Sequence, residues 1–255
     1  MHRITFLGTG TSQGVPIIGC NCRVCGSEDP KDKRLRSSLL IETEKHTVVI
    51  DSGPDFRQQL LRAGVRKLDA LVLTHSHKDH LAGLDDIRAF NYLQQQAIPV
   101  YASIETQEVI RREFAYIFEN ASYPGVPQIE LHTIDQNSSF RIGDIPFQAV
   151  GVMHYQMPVL GFRIHDFTYI TDANAIHETE FEKIKGSRYL TLNALRKEKH
   201  ISHFTLDEAI EQAQKSGIPN TFLTHISHQL GLHQEVSRDL PDGIQLAFDT
   251  LSIVI

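Results

Sequence analysis

Apolar residues run along this chain in short blocks closed by glycine, proline or polar clusters, the pattern of buried β-strands rather than long helices. The predicted strands are Ile4 to Leu7, Ser38 to Ile41, Thr47 to Ile50, Leu68 to Leu73, Ile98 to Tyr101, Phe147 to Val152, Leu160 to Ile164, Thr168 to Ile170, Tyr189 to Leu192, Thr221 to Leu223, Ile244 to Ala247 and Leu251 to Val254. Between them, apolar positions at helical spacing predict helices over Asp55 to Ala63, Leu84 to Tyr92, Thr106 to Phe118, Glu178 to Ile184 and Leu206 to Ser216. The last, "TLDEAIEQAQKSG", has a Thr cap, early acids and a terminal Gly. The sequence has no composition break, linker or obvious internal repeat, so the economical prediction is one α/β domain over residues 1–255, with two sheets between helices.

A hydrophobic content of 41% and a charged content of 22% suit an ordinary globular protein. The start, "MHRITFLGTG", lacks an apolar targeting core, and no stretch of about 18 apolar residues occurs, so the expectation is a cytoplasmic protein with no membrane partner. A net charge of -6 makes broad binding to nucleic-acid backbones an unfavoured function. The basic run "KDKRLR" (31 to 36) then reads as a solvated loop.

The 14 histidines change the picture, because they gather where apolar runs end. "TVVID" ends in Asp51, "LVLTHSHKDH" reaches His75, "FQAVGVMH" ends in His154, "FTYITD" in Asp172 and "TFLTH" in His225. Loops at one edge of a sheet converge, so side chains at strand ends can meet. In an extended segment alternate residues share a face, which lets His75 and His77 address one ion while Asp79 and His80, at the following turn, address another. One strand end thus supplies half-sites for two metals about 3.5 to 4 Å apart. Imidazole with carboxylate suits Zn²⁺, Mn²⁺ or Fe²⁺.

"THSHKDH" (74 to 80) resembles without a gap the THxHxDH signature of the metallo-β-lactamase-fold hydrolases. The resemblance implies an αβ/βα sandwich, two mixed sheets flanked by helices. It also implies that His75, His77 and His154 bind a first metal, that Asp79, His80 and His225 bind a second, and that Asp172 bridges both. Asp51 is similar to the family's buried acid that steadies a ligand histidine.

Three cysteines in "GCNCRVCG", Cys20, Cys22 and Cys25, are one ligand short of a closed tetrahedral zinc site. "LTHISHQ" holds two histidines; if His225 serves the dinuclear site, His228 is free to complete a Cys₃His structural zinc. "FLGTGTSQGVPIIGCNCRVC", "LTHISHQ" and "LPDGIQLAFDTLSI" resemble the PhnP branch, phosphodiesterases that open phosphoribosyl 1,2-cyclic phosphates. That likeness implies two active-site divalent ions (Mn or Zn), one structural Zn, a hydroxide held between the ions as nucleophile, and a small-molecule phosphodiester substrate.

"HISHFTLDEA" resembles the HxT-type motif at its second histidine, which implies that His203 acts as general acid or oxyanion stabiliser; His200 reads as a bystander. His2, His46, His132, His165, His177 and His233 read as surface or core residues. Phe114, Ile117 and Phe118 read as helix core, with Tyr123 in a following loop as a minor candidate for a lid or homodimer contact. A tRNase Z-like endonuclease is the rival enzyme. It is opposed by the acidic charge, the cysteine cluster and the mere 17 residues (155 to 171) between His154 and Asp172. A non-catalytic metalloprotein resembling the PqqB branch is the rival class, and it predicts an incomplete ligand set.

Overall fold

A computed structural model describes residues 2–119 and 125–255; Tyr123 lies outside the described residues. The first sheet contains β1 (Arg3–Gly8), β2 (Ser38–Glu42), β3 (Thr47–Ile50), β4 (Ala70–Val72), β5 (Ile98–Ala102) and β6 (Ile129–Thr133), with β15 (Ser252–Val254) beside β1. The second contains β7 (Ser139–Ile142), β8 (Ile145–His154), β9 (Met157–Ile164), β10 (Phe167–Tyr169), β11 (Ala175–Ile176), β12 (Tyr189–Asn193), β13 (Asn220–Thr224) and β14 (Ile244–Leu246).

The two sheets repeat one topology. In the first, β15–β1, β1–β2 and β2–β3 are antiparallel, and β3–β4, β4–β5 and β5–β6 are parallel. In the second, β11–β8, β8–β9 and β9–β10 are antiparallel, and β10–β12, β12–β13 and β13–β14 are parallel. The repeat is invisible in the residues because packing constrains volume and polarity at each position, not identity.

Three apolar clusters define the layers. Phe6, Ile41 and Ile50 meet Phe147, Phe162 and Tyr169 between the sheets. On the outer face of the first sheet, Leu40, Leu71 and Val100 pack with Phe56 and Leu60 of α1 (Phe56–Ala63), Phe90 of α3 (Arg88–Gln94) and Ile110 of α4 (Ile104–Glu113). On the outer face of the second, Leu190, Leu192 and Leu223 pack with Ile184 of α6 (Glu178–Ile184), Ala209 and Ala213 of α7 (Leu206–Ser216) and Val236 of α8 (His233–Arg238). The fold is the expected αβ/βα sandwich of two mixed sheets flanked by helices.

Most predicted elements form, with informative departures. The capping box at the start of α7 is present, with Thr205 and Glu208 exchanging side-chain and backbone bonds. The predicted helix over 106 to 118 breaks at Phe114 into α4 and α5 (Ala115–Glu119), while Phe114 and Ile117 stay buried. β6 and β7, rich in charged and polar residues at the edges, escaped the apolar criterion. The basic run is not a solvated loop: Arg34 is buried, bonded to Thr9 Oγ1, the Ala247 carbonyl and His233, and Arg36 pairs with Asp55 at 3.1 Å. Among the described residues no helix is long and apolar enough to cross a membrane.

Candidate metal centre

Asp51 follows β3, His75 lies just beyond β4, His154 ends β8, Asp172 lies just past β10 and His225 follows β13. Asp51, Asp172 and His225 have φ of 66°, 52° and 56°. Left-handed backbone at a residue other than glycine costs of order 1–3 kcal/mol and gathers where side chains must be re-aimed for function. The turns bring both sheets together: Leu160 N–H donates to the Thr74 carbonyl at 3.0 Å, and Ile226 N–H to Thr9 at 2.9 Å. Gly53 makes the approach possible, since a Cβ there would sit 2.0 Å from the Asp79 carbonyl oxygen.

Hydrogen bonds fix which imidazole nitrogens face inward. Asp51, fully buried, accepts from Thr74 N–H at 2.9 Å, Thr74 Oγ1–H at 2.9 Å and His80 Nδ1–H at 2.7 Å. Thr74 has one hydroxyl proton, so with that proton on Asp51 its oxygen accepts from His75 Nδ1 at 2.9 Å. His154 Nδ1–H donates to the Ser202 carbonyl at 2.7 Å. Protons thus point outward and lone pairs on Nε2 inward, as metal ligation requires. The Nε2 atoms of His75 and His80 are buried without a hydrogen-bond partner.

Around that interior the donor atoms have the spacing of a coordination sphere. His80 Nε2 lies 3.1 Å from Asp79 Oδ2 and 3.2 Å from Asp172 Oδ2. Ligands about 2.1 Å from a shared ion lie roughly 3.0 Å apart at octahedral angles and 3.4 Å at tetrahedral ones. The donor set therefore fits a divalent cation. Electrostatics agree: burial opposes charge on His80, but Asp172, Asp79 and Asp51 outweigh it and raise its pKa well above the usual histidine value. That point requires positive charge, a proton or a metal. Burial, opposed at Asp172 by His225, His80 and His203, leaves this carboxyl well below the carboxylate range; Asp79 is lowered in the same way by His80. Burial holds His75 well below its usual value, lowers His154, and takes His225 to about 3, so these rings stay neutral and able to ligate.

Of the predicted active-site ligands, five come together in two overlapping groups, and His75 and His77 belong to neither. Ligand atoms of Asp79, His80, Asp172 and His225 lie within 4.8 Å of one another, as do those of His154, Asp172 and His203. The rings of His75, His77 and His154 form a triangle with centroids 4.7, 5.0 and 5.8 Å apart. His203 Nε2 stands 3.0 Å from Asp172 Oδ1, the oxygen other than the one His80 approaches. His200, expected to be a bystander, places its Nδ1 3.3 Å from His203 Nδ1. Three residues outside the sequence reading support the site. Ser37 Oγ is 3.1 Å from His225 Nδ1, Asn193 clamps Ala173 through both its N–H and C=O, and Ser202 orients His154. Only Asn193, polar at the end of an apolar run, left a trace in the sequence.

The remaining histidines fit the surface-or-core reading. His2 lies tilted against His165, His46 pairs with Asp144, His132 lies on Tyr101, His177 caps α6, and buried His233 meets Arg34.

Cys20, Cys22 and Cys25, all free thiols, surround His228 Nδ1 at 3.4, 3.3 and 3.6 Å. A tetrahedral zinc with Zn–S of about 2.3 Å and Zn–N of about 2.05 Å sets S···N at roughly 3.6 Å, so the four donors fit that ion. The Cys25 N–H and His228 lower the Cys22 thiol to about 6, whereas burial pushes Cys25 up to about 11.

This fold and this cluster are those of the metallo-β-lactamase fold. Residues 46–226 match the beta-lactamase superfamily domain, and the chain belongs to that family. It resembles the crystal structure of a diphosphatase from the PhnP family, with a TM-score of 0.93 and 40% identity over 100% of this chain and 98% of that one. Zn²⁺-bound PqqB from Methylobacterium extorquens shares the fold at a TM-score of 0.82 and 18% identity, covering 100% of each chain. An octanoyltransferase of Porphyromonas gingivalis is 42% identical over 99% of this chain, which spans only 51% of that protein's length.

Proposed function

We propose that this chain is a dinuclear-metal phosphodiesterase acting on a small molecule whose phosphorus carries two substituents, of which a phosphoribosyl 1,2-cyclic phosphate is one example. The carrying observation is the two-sided use of Asp172: Oδ2 faces His80 and His225, and Oδ1 faces His203. In this reading His75, His77 and His154 hold one Mn or Zn ion, Asp79, His80 and His225 a second, and Asp172 both. Cys20, Cys22, Cys25 and His228 hold a structural zinc. The active-site pair, when bound, would supply Lewis acidity toward the phosphoryl oxygens and toward water.

His203 supplies the proton. Its Nε2–H is held at Asp172 Oδ1, while Ser202 Oγ at 3.1 Å and His200 Nδ1 at 3.3 Å can accept from Nδ1–H. Both ring nitrogens therefore have acceptors, which accommodates the doubly protonated form. As water oxygen bonds to phosphorus and the ester P–O bond breaks, the departing oxygen takes the Nε2 proton, and the proton lost by water restores the pair.

The 40% identical diphosphatase supports chemistry at a disubstituted phosphorus, since the phosphorus of a diphosphate linkage is also bridged. The octanoyltransferase name attaches to a protein about half of whose length has no counterpart here. Mn²⁺-loaded protein should cleave cyclic or linear diesters, or diphosphates, and His203→Ala should lower the rate by about 100- to 10,000-fold with metal content unchanged. Equal rates in the two proteins, or no turnover of any such substrate, would overturn the reading.

A further inference from the structure

β10 and β12 run parallel as far as Tyr169 and Thr191, and Ile170 N–H still donates to the Thr191 carbonyl at 2.9 Å. There the two segments part. β12 goes on beside β13, where Asn193 pairs with Thr224, while the other segment turns through Asp172 at a φ of 52°. Ala173, fully buried, therefore lies beyond the ladder with a backbone N–H and carbonyl that the ladder no longer satisfies. The Asn193 side chain takes the strand's place: its Oδ1 accepts from Ala173 N–H at 2.8 Å, and its Nδ2 donates to the Ala173 carbonyl at 2.9 Å. Asn193 is itself fully buried. Its amide offers a donor and an acceptor side by side; leucine, of the same shape, has neither, and aspartate lacks the donor.

This clamp sits between two groups that meet. Asp172 immediately precedes Ala173, and the Ala173 carbonyl also accepts, at 2.8 Å, from the N–H of Phe204, the residue after His203. Asp172 Oδ1 and His203 Nε2, 3.0 Å apart, thus each belong to a residue whose neighbour is tied to the clamp. A left-handed residue other than glycine persists only where its surroundings over-determine it, and Asn193 supplies such a constraint on Asp172 from a different strand. The side-chain bonds of Asn193 go to Ala173 alone, so its hold on His203 is indirect.

We infer that Asn193 is a positioning residue that holds His203 against Asp172 in the geometry proton transfer requires. The inference deepens the phosphodiesterase reading and rests on it for the role of His203. A proton donor must stand within hydrogen-bond reach of the departing oxygen, and a misplacement of about 1 Å costs about 100-fold in rate.

Two measurements on Mn²⁺-loaded protein test it. The first is a double-mutant cycle: kcat for a diester with an alkoxide leaving group is measured at saturating Mn²⁺ in the parent, Asn193→Leu, His203→Ala and the double variant. Asn193→Leu should lower kcat about 10- to 100-fold in the parent but less than about twofold in His203→Ala, because a residue acting through the imidazole has nothing to position once the ring is gone. A merely structural role would lower both by the same factor. Equal factors, or an Asn193→Leu variant as fast as the parent, overturn the inference. Asn193→Ser, whose hydroxyl serves one of the two partners, carries the same cycle where the leucine variant does not fold. The second measurement is a crystal structure of the parent and of the folded variant. The parent should keep the contact between His203 Nε2 and Asp172 Oδ1, and the variant should open it by about 1 Å. An intact contact in the variant overturns the inference whatever the kinetics. If the contact opens but the parent cleaves no diester, the positioning role stands and the phosphodiesterase reading falls.

Discussion

At the scale of single residues, the site is governed by where protons point. Asp51 takes all its bonds from donors, so His80 directly and His75 through Thr74 are left with inward lone pairs. Thr74→Val removes the hydroxyl that orients His75 while preserving volume, and should weaken metal binding about 10- to 100-fold in a chelator competition assay. Unchanged affinity would show that Thr74 does not orient the ring. His233 allows a test remote from the metals. Burial and the neighbouring Arg34 lower it to about 4, so the folded state takes up a proton later than the unfolded chain, whose value is about 6.5. The unfolded state binds more protons between those values, and stability is present at pH 7 and lost as pH falls from about 6.5 toward 4. His233→Gln should flatten denaturation free energy against pH, measured in chelator, by about 1 kcal/mol between pH 7 and 5, the full slope being reduced by the ring's partial solvation. Identical slopes would contradict this. The ligands themselves were legible in the sequence because the HxHxDH spacing states its own geometry. Ser37 and His200 were not, since each acts through a partner distant in the chain or displaced by a loop.

At the scale of elements, each strand end delivers its residue through a turn that breaks ordinary backbone rules. Apolar runs showed where β3, β4, β8, β10 and β13 lie, yet the left-handed φ of Asp51, Asp172 and His225 depends on contacts with the opposite sheet and leaves no local signature. Gly53 belongs to the same class: only the neighbouring Asp79 backbone explains it. Gly53→Ala should force apart the turn after β3 and α2 (Lys78–Leu81), costing about 1–3 kcal/mol in denaturant titrations and weakening metal binding. A variant as stable as the parent would mean the turn can yield. The polar edge strands β6 and β7 escaped detection because half of each faces solvent, where hydrophobic pattern carries no information.

At the scale of the whole molecule, two sheets of the same topology face each other across one apolar core and give their strand ends to one rim. The cysteine loop adds a second fastening there, since His228 lies three residues beyond His225. Cys25→Ser should reduce metal content from roughly three ions per chain to two and lower the thermal midpoint by several degrees. Retention of three ions would remove the structural zinc. The most direct measurement of the convergence itself is anomalous diffraction from Mn²⁺- and Zn²⁺-loaded crystals. Two peaks about 3.5 to 4 Å apart against the Asp172 carboxylate, one toward His75, His77 and His154 and the other toward Asp79, His80 and His225, are expected. A single peak, or none at that carboxylate, would contradict a dinuclear centre in this chain.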